Sequence, residues 1–456
     1  MWSLDDRLKL VPRTMTHAFA SGIKEVFGVK LASGREIKAT SNHPFLTCEG
    51  WRALGDLRPG SRVGVSRHVP PPLMTTAMED DELILLGHLI GAGSFVRRQP
   101  IRYASVDEEN LAVVAAAANR RFGVDAVRDD RPAARVTTLR LPAPFHLSHG
   151  RRSPIAAWLD GMGLFGCRSH ERFVPAPVFS VPKRQVAVFL RHLWATDGSV
   201  TWDPTARSGC VSFASTSRRL VDDVARLLLR FNVLSRMQRV TKPGCRDTFH
   251  LHIDGGDDQR RFLQEVGLHG ARGTLAAEVL TKIGRAKADT DLDTIPQDVW
   301  DRVRTALVER PVTHREFASA VGNEFGGSTL WRQAPNRPRL AKIAAALDAA
   351  DLEVLATNDI FWDEIRKVES LGEQQVYDAT VLGTHNFIAD GIALHNSLEQ
   401  DADMVILLHR DDIYEKEPTR PGEADIIVAK HRNGPTADLV LAFQGHYSRF
   451  VDMARA

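Results

Sequence analysis

The sequence predicts a multidomain chain: strand-rich segments at residues 1–70 and again from about 360, an α+β region between them, and a strand-type final segment, 397–456. Three observations predict it. First, 456 residues suffice for two to four domains with real cores, and the apolar and charged fractions, 43% and 25%, are those of a soluble globular protein. Second, short apolar runs punctuated by Gly, Pro and charged turns fill the first 70 residues, and the pattern returns at IFWDEIRKVESLG. Third, two apolar helical stretches about a hundred residues apart each run into a cluster of small residues.

In the first segment, VFGVKLASGREIKAT and WRALGDLRPGSRVGV have strand-and-hairpin composition. Between them, Thr40-Ser41-Asn42-His43-Pro44-Phe45 places a histidine three residues after a threonine at a strand end. Such an imidazole could polarise a nearby peptide carbonyl; on these residues alone a turn histidine is the plainer reading. From Pro70-Pro71-Pro72 the composition turns helical. Leu83, Leu86 and Ile90 follow helical spacing into Gly91-Ala92-Gly93-Ser94, and FLRHLWATDGS (189–199) repeats the design. Gly87 and Gly91 would let two such helices cross closely, and a carboxylate at the end of each would meet a metal at the junction. Two unrelated buried helices ending in glycine caps fit the same residues.

Residues 200–285 alternate strand-like CVSFAS and TFHLHI with helical RLVDDVARLLLRF and QRRFLQEVG. Arg218, Arg219, Arg226, Arg230, Arg236 and Arg239 suit phosphates or solvent equally. Residues 286–358 are helical, and the stretches 314–322, 328–332 and 339–344 read either as a helix-turn-helix or as a plain helical spacer.

The stretch YDATVLGTHNFIADGIALHNS, 377–397, holds the chemistry. Asn396 has a side-chain amide that can close onto its own backbone carbonyl as a five-membered succinimide and break the Asn396–Ser397 bond. The departing amine needs a proton, and His395 is adjacent while His385 lies ten residues back, within reach of a hairpin. Ser397 supplies a hydroxyl suited to acyl transfer. Asp390-Gly391 between apolar strands is a hairpin signal.

VYDATVLGTHNFIADGIALHNS resembles the C-terminal splicing motifs of inteins, which excise themselves from a host chain. The resemblance implies Asn396 as the cyclising residue, His395 as the penultimate histidine, His385 and Asp378 as the assisting pair, and Ser397 as the first host residue downstream. T-x-x-H at Thr40 and His43 resembles the block by which inteins activate the upstream junction. An intein should open with Cys or Ser, followed by about two strands before that block; this sequence opens at Met1 with neither a host segment nor that nucleophile, which implies an internal start of the reading frame or a fragment, the first preferred.

The two helical repeats resemble the LAGLIDADG motifs of homing endonucleases, and GLFGCRSHERFVP (163–175) resembles a block between them. The resemblance implies Mg²⁺ and DNA, with Asp197 as a metal ligand. The first repeat has Ala92 where the family has an acid, so a folded, DNA-binding but cleavage-poor domain is expected.

SLEQDADMVILLHRDD and EADIIVAKHRNGPTADLVLAFQGHYSRF resemble the C-terminal end of DnaB-type replicative helicases. That implies Lys430 and Arg432 reaching the ATP of a neighbouring subunit in a hexameric ring. The phosphate-binding G-x-x-x-x-G-K-[ST] loop is nowhere in the sequence.

The implied architecture is an all-β horseshoe (Hint-type) splicing domain of residues 1–70 and 359–396, interrupted by an α+β LAGLIDADG domain, 71–285, and the helical insert, 286–358. A partial α/β RecA-like segment, 397–456, follows. Splicing itself implies no cofactor, and its partner is the upstream part of the precursor. A stand-alone endonuclease with relic splicing motifs, or an inert DNA-binding module, are the alternatives. Four scattered cysteines (Cys48, Cys167, Cys210, Cys245) argue against structural zinc and disulfides and fit a reducing cytoplasm; no run reaches membrane-span length, and MWSLDDRLKL carries acids unlike a signal peptide.

Overall fold

A computed structural model describes the chain except residues 98, 132–135, 147–151, 206, 285–292, 310–316, 318, 320–330, 332, 397–403, 411–419, 421, 432–436, 445–448 and 453–456. The chain opens with β1 (Trp2–Leu4) and β2 (Leu10–Pro12), then β3 (Met15–Leu31), β4 (Glu36–Ala39), β5 (Pro44–Thr47), β6 (Gly50–Ala53) and β7 (Arg62–Ser66). The middle carries α1 (Asp80–Ala92), β8 (Gly93–Ser94), β9 (Ile101–Ser105), α2 (Glu108–Phe122), β10 (Val127–Arg131), β11 (Val136–Leu141), α3 (Pro154–Gly161) and α4 (Ala176–Ser180). It continues with α5 (Lys183–Asp197), β12 (Gly198–Asp203), β13 (Ser208–Ser215), α6 (Arg218–Leu228), β14 (Arg236–Val240), β15 (Thr248–Ile253), α7 (Gly256–Glu265) and α8 (Ala271–Ile283). Helices α9 (Val299–Val308), Arg337–Leu347 and Ala350–Thr357 precede β16 (Ile360–Val381), β17 (Asn386–Ala389) and β18 (Ile392–His395). The tail contains β19 (Met404–His409), β20 (Glu423–His431), β21 (Ala437–Gln444) and β22 (Arg449–Asp452).

Strands from the two ends of the first 396 residues share one sheet, in the order β4-β3-β16-β7-β18-β5-β6, with β17 on the free side of β18. Apolar residues force the pairing: Val29 and Leu31 of β3, Val63 and Val65 of β7, and Ile365, Val381 and Ile392 are buried together. β3 and β16 run antiparallel far beyond that core, with Phe19 opposite Asp378 and Lys24 opposite Gln374. Sequence patterning reads Val376, Tyr377, Thr380 and Val381 as strand but does not mark the β3 side of this outer ribbon, where Ile23 is exposed. The Asp390–Gly391 turn has φ of +50° and +79°, the left-handed pair a two-residue hairpin demands.

The middle unit is built on α1 crossing α5. A side chain at Gly87 would meet the Leu193 N at 2.9 Å, and one at Gly91 would overlap Thr196; bare backbone is what lets the helices touch. Each helix feeds a four-stranded antiparallel sheet of the same topology, β8-β9-β11-β10 and β12-β13-β15-β14. Between the helices lies a buried polar chain in which the His88 Nδ1 is 2.9 Å from the Tyr103 hydroxyl and its Nε2 is 3.0 Å from the His192 Nδ1. The His192 and His269 rings lie 4.6 Å apart.

The helical insert is not a separate body. Val299, Trp300, Val303, Leu340, Ile343 and Leu347 share a core with Leu4, Leu10, Leu46, Trp362 and Ala393 of the β-rich unit. Most of the expected helix-turn-helix, 310–316 and 320–330, lies outside the described residues. The described part of the tail is an antiparallel sheet in the order β19-β20-β21-β22. Among the described residues no helix is long and apolar enough to cross a membrane.

Two outcomes follow. Gly91→Ala should cost about 1–3 kcal/mol through forced overpacking at the crossing, read as a lower thermal midpoint with the wild-type fold by circular dichroism. Burial, reinforced by the neighbouring imidazoles, holds His88 well below its usual pKa and takes His192 down to about 3. The unfolded chain therefore binds more protons than the native one between about pH 3 and about pH 6.5. This contribution is present above that window and is lost as pH falls through it. Asp258, raised by burial to about 6, acts in the opposite sense, so the comparison is with His192→Gln: the wild type should lose more stability than the variant from pH 7 to pH 5, measured by denaturant unfolding.

Candidate functional site

The hairpin β17–β18 delivers Asn396 into the β-rich unit. Asn386 pairs with His395 and Leu394 with Phe45, so the end of β18 is gripped on both sides. Asn396 is fully buried. Its main-chain N–H donates to the His385 carbonyl at 2.7 Å. Its amide lies against the main chain of β16. With Nδ2 donating to the Ala379 carbonyl at 3.2 Å and Oδ1 accepting from the Val381 N–H at 3.1 Å, both ends are satisfied; the reverse orientation gives one bond, Nδ2 to the Val381 carbonyl at 3.3 Å.

The His395 Nδ1 lies 2.7 Å from the carbonyl oxygen of Asn396. A carbonyl only accepts, so this contact requires the proton on Nδ1. That carbonyl belongs to the Asn396–Ser397 bond. The imidazole therefore polarises the carbon that the amide would attack, whereas the sequence argument had assigned it to the leaving amine. His395 itself packs edge-on against Trp51, with centroids 4.9 Å apart.

His43 closes the far side of this region, packed edge-on against Phe45 and Phe387. Burial lowers its pKa, Asp378 partly offsets this, and His395 lowers it further. His43, Asp378 and His395 thus share one electrostatic neighbourhood. The His43 Nε2 is buried without a hydrogen-bond partner among the described residues. The Thr40 hydroxyl donates to the side-chain Oδ1 of Asn42 at 2.7 Å. His385 is exposed and has a φ of +55°, and its carbonyl, as noted, accepts from Asn396. Ser397 and Arg432 lie outside the described residues, as does the side chain of Lys430.

Sequence reasoning missed two features here. Asn386 accepts from the Leu4 N–H at 2.7 Å and the Ser3 hydroxyl at 3.0 Å, and donates to the carbonyls of Leu4 and Thr384 at 2.9 and 2.8 Å. It ties β1 to the segment leading into the hairpin, and an Asn beside a turn gives no sign of this. Trp51, read as part of a strand, gave no sign of facing His395.

A family model of the intein splicing domain matches residues 1–396. The chain belongs to the intein splicing family. A second model, of the DnaB-like helicase C terminal domain, matches residues 389–452, so the two meet over the hairpin that ends at Asn396. Replicative DNA helicase DnaB of Synechocystis sp. is 35% identical over 467 residues, covering 100% of this chain and 53% of that protein. The DnaB of Rhodothermus marinus is 37% identical over 463 residues, covering 99% and 49%. The DnaB of Leifsonia xyli subsp. xyli is 69% identical over 58 residues, 13% of each chain. The chain spans about half the length of the first two relatives.

At the α1–α5 crossing of this intein, the residues do not fit a pair of metal ions. Ala92 offers no ligand. Arg172 instead donates to the carbonyls of Ile90, Gly91 and Gly93 at 2.6, 2.8 and 2.6 Å, and Arg272 donates to that of Thr196 at 2.6 Å. Desolvation raises the pKa of Asp197, and Arg172 and Arg272 pull it back. Among the described residues no group of three His, Cys, Asp or Glu side chains is placed to hold a metal ion.

The arginines that the sequence leaves open between phosphate and solvent have partners within the protein. Arg218 pairs with Glu36 and Asp222 and donates to the Gly34 carbonyl, and Arg226 meets Asp390. Arg219 lies over the Phe173 ring, Arg230 caps the carbonyls of Phe179 and Val181, and Arg236 and Arg239 pair with Asp254 and Asp247. Most of these partners lie far away in sequence or on neighbouring elements, which a sequence without contacts cannot reveal.

Proposed function

We propose that this chain is the intein-bearing part of a replicative DNA helicase precursor and that it cleaves itself at Asn396–Ser397. One observation carries the reading: a fully buried asparagine whose scissile carbonyl accepts from the His395 Nδ1 at 2.7 Å, at the seam between the intein and helicase matches. The Asn396 Nδ2 leaves its β16 carbonyl and attacks its own main-chain carbon. His395 stabilises the oxygen as charge develops there. The bond to the Ser397 nitrogen breaks, the proton from Nδ2 passes to that nitrogen, and an aminosuccinimide and a free amine result. Burial keeps water from competing. His385 assists the proton transfer and Asp378 orients the junction.

In the full precursor, Thr40 and His43 activate the upstream junction, the His43 Nε2 being available for it. Ser397 attacks the resulting ester or thioester, and an O-to-N shift restores a peptide bond. The spliced host then works as a hexameric, ATP- and Mg²⁺-dependent DNA helicase in the cytoplasm. There Lys430 and Arg432 face the nucleotide of the next subunit and stabilise its phosphoryl charge. The splicing unit is a Hint-type horseshoe, the middle unit a LAGLIDADG endonuclease fold that binds DNA, and the tail the edge of a RecA-like domain.

On incubation of the purified chain, the 397–456 segment should be released. Asn396→Ala should abolish the release, and His395→Ala should slow it by at least about tenfold; release that persists in Asn396→Ala means ordinary proteolysis. The middle unit should bind an intein-less target duplex without cutting both strands in Mg²⁺. Double-strand cutting by the wild-type chain, assayed on labelled duplex, would contradict the reading of Ala92 and Arg172.

A further inference from the structure

We infer that Trp51 is a positioning residue for C-terminal cleavage, and that the helical insert holds it in place through the β5–β6 hairpin. This rests on the proposed cleavage at Asn396. A histidine side chain can swing about its side-chain torsions. A swing away from Asn396 would carry the Nδ1–H off the carbonyl it faces. The half-buried indole of Trp51 stands edge-on to that ring, with planes 64° apart and centroids 4.9 Å apart. It blocks swings of the ring in its direction while leaving the hydrogen bond intact.

The wall is itself braced. Trp51 pairs with Leu46 across the hairpin, and Phe45 pairs with Leu394, the residue before His395. Leu46 is buried in the core that includes Val299, Trp300 and Val303 of the insert, and Trp51 and Cys48 pack against that core. At the hairpin turn, Arg302 of α9 donates to the Cys48 carbonyl at 2.6 Å. A segment that sequence reads as a DNA reader or a spacer thus reaches the scissile bond through one hairpin and one indole. Trp51 acts through His395 and takes no part in bond making.

The test is the rate of 397–456 release from the full chain, at fixed pH, for the wild type, Trp51→Ala, Trp51→Phe, His395→Ala and the Trp51→Ala/His395→Ala double variant. An edge-on aromatic pair of this kind corresponds to a factor of about 3–10. Trp51→Ala should be slower by that factor, and Trp51→Phe should recover to within about twofold. The double variant should be no slower than His395→Ala alone, because Trp51 has nothing left to position. Arg302→Ala should slow release less than Trp51→Ala does. If Trp51→Ala does not fold by circular dichroism, Trp51→Leu takes its place in the same cycle. Wild-type rates in the Trp51 variant, or losses that multiply in the double variant, would overturn the inference. A wild-type chain that releases nothing would instead defeat the cleavage reading on which it stands.

Discussion

The Asn396 amide is held between two main chains, its own and that of β16, and most of the β-rich unit exists to keep it there. The side chain is dry, its polar atoms are met by the backbone at Ala379 and Val381, and its own carbonyl is met by His395. A buried amide without those partners would cost about 1–3 kcal/mol, so satisfying it also fixes it. The same contacts place the nitrogen proposed as the nucleophile one side-chain rotation from the main-chain carbon of Asn396. Removing any strand of β16, β17, β18 or β5 would loosen that placement, which is why strands remote in sequence share one sheet.

Around that centre, the units contact one another as well as the solvent. The α6 face bearing Arg218, Asp222 and Arg226 lies against Glu36, Arg35 and the Asp390 turn of the hairpin. Most of these ion pairs are half exposed, and such pairs contribute about 0–1 kcal/mol each, so they orient more than they stabilise. Stability comes from the buried crossing of α1 on α5 and from the shared core beneath the helical insert. At the crossing, Arg172 donates to the carbonyls of Ile90, Gly91 and Gly93 at the buried end of α1, which ties that helix to the rest of the middle unit.

Much of this was legible in the sequence, for identifiable reasons. The Asp390-Gly391 hairpin follows from the left-handed conformation that those residues tolerate, and the close helix pair follows from Gly87 and Gly91. The residues of the proposed cleavage site come from their chemistry and their resemblance to splicing motifs. The strand character of β16 was legible, whereas the outer part of β3 was not, because residues on both its faces meet solvent, Phe19 and Ile23 among them, and no two-residue period remains. Nor were the partners of Arg218 and Arg226, since a cation's neighbour depends on packing between units. Trp51 and Asn386 escaped for a related reason: each acts on residues distant in sequence, and neither belongs to a spacing that chemistry would pick out. The helical insert had helical composition in plain view, but its apolar face gives no sign of which partner it covers.

The most direct test of the account is the mass of the fragment 1–396 released from the purified chain. Cyclisation of Asn396 predicts a C-terminal aminosuccinimide, one water lighter than the fragment ending in a free asparagine carboxylate, seen at early times before it hydrolyses. A released fragment that bears the full carboxylate from its first appearance would contradict the account.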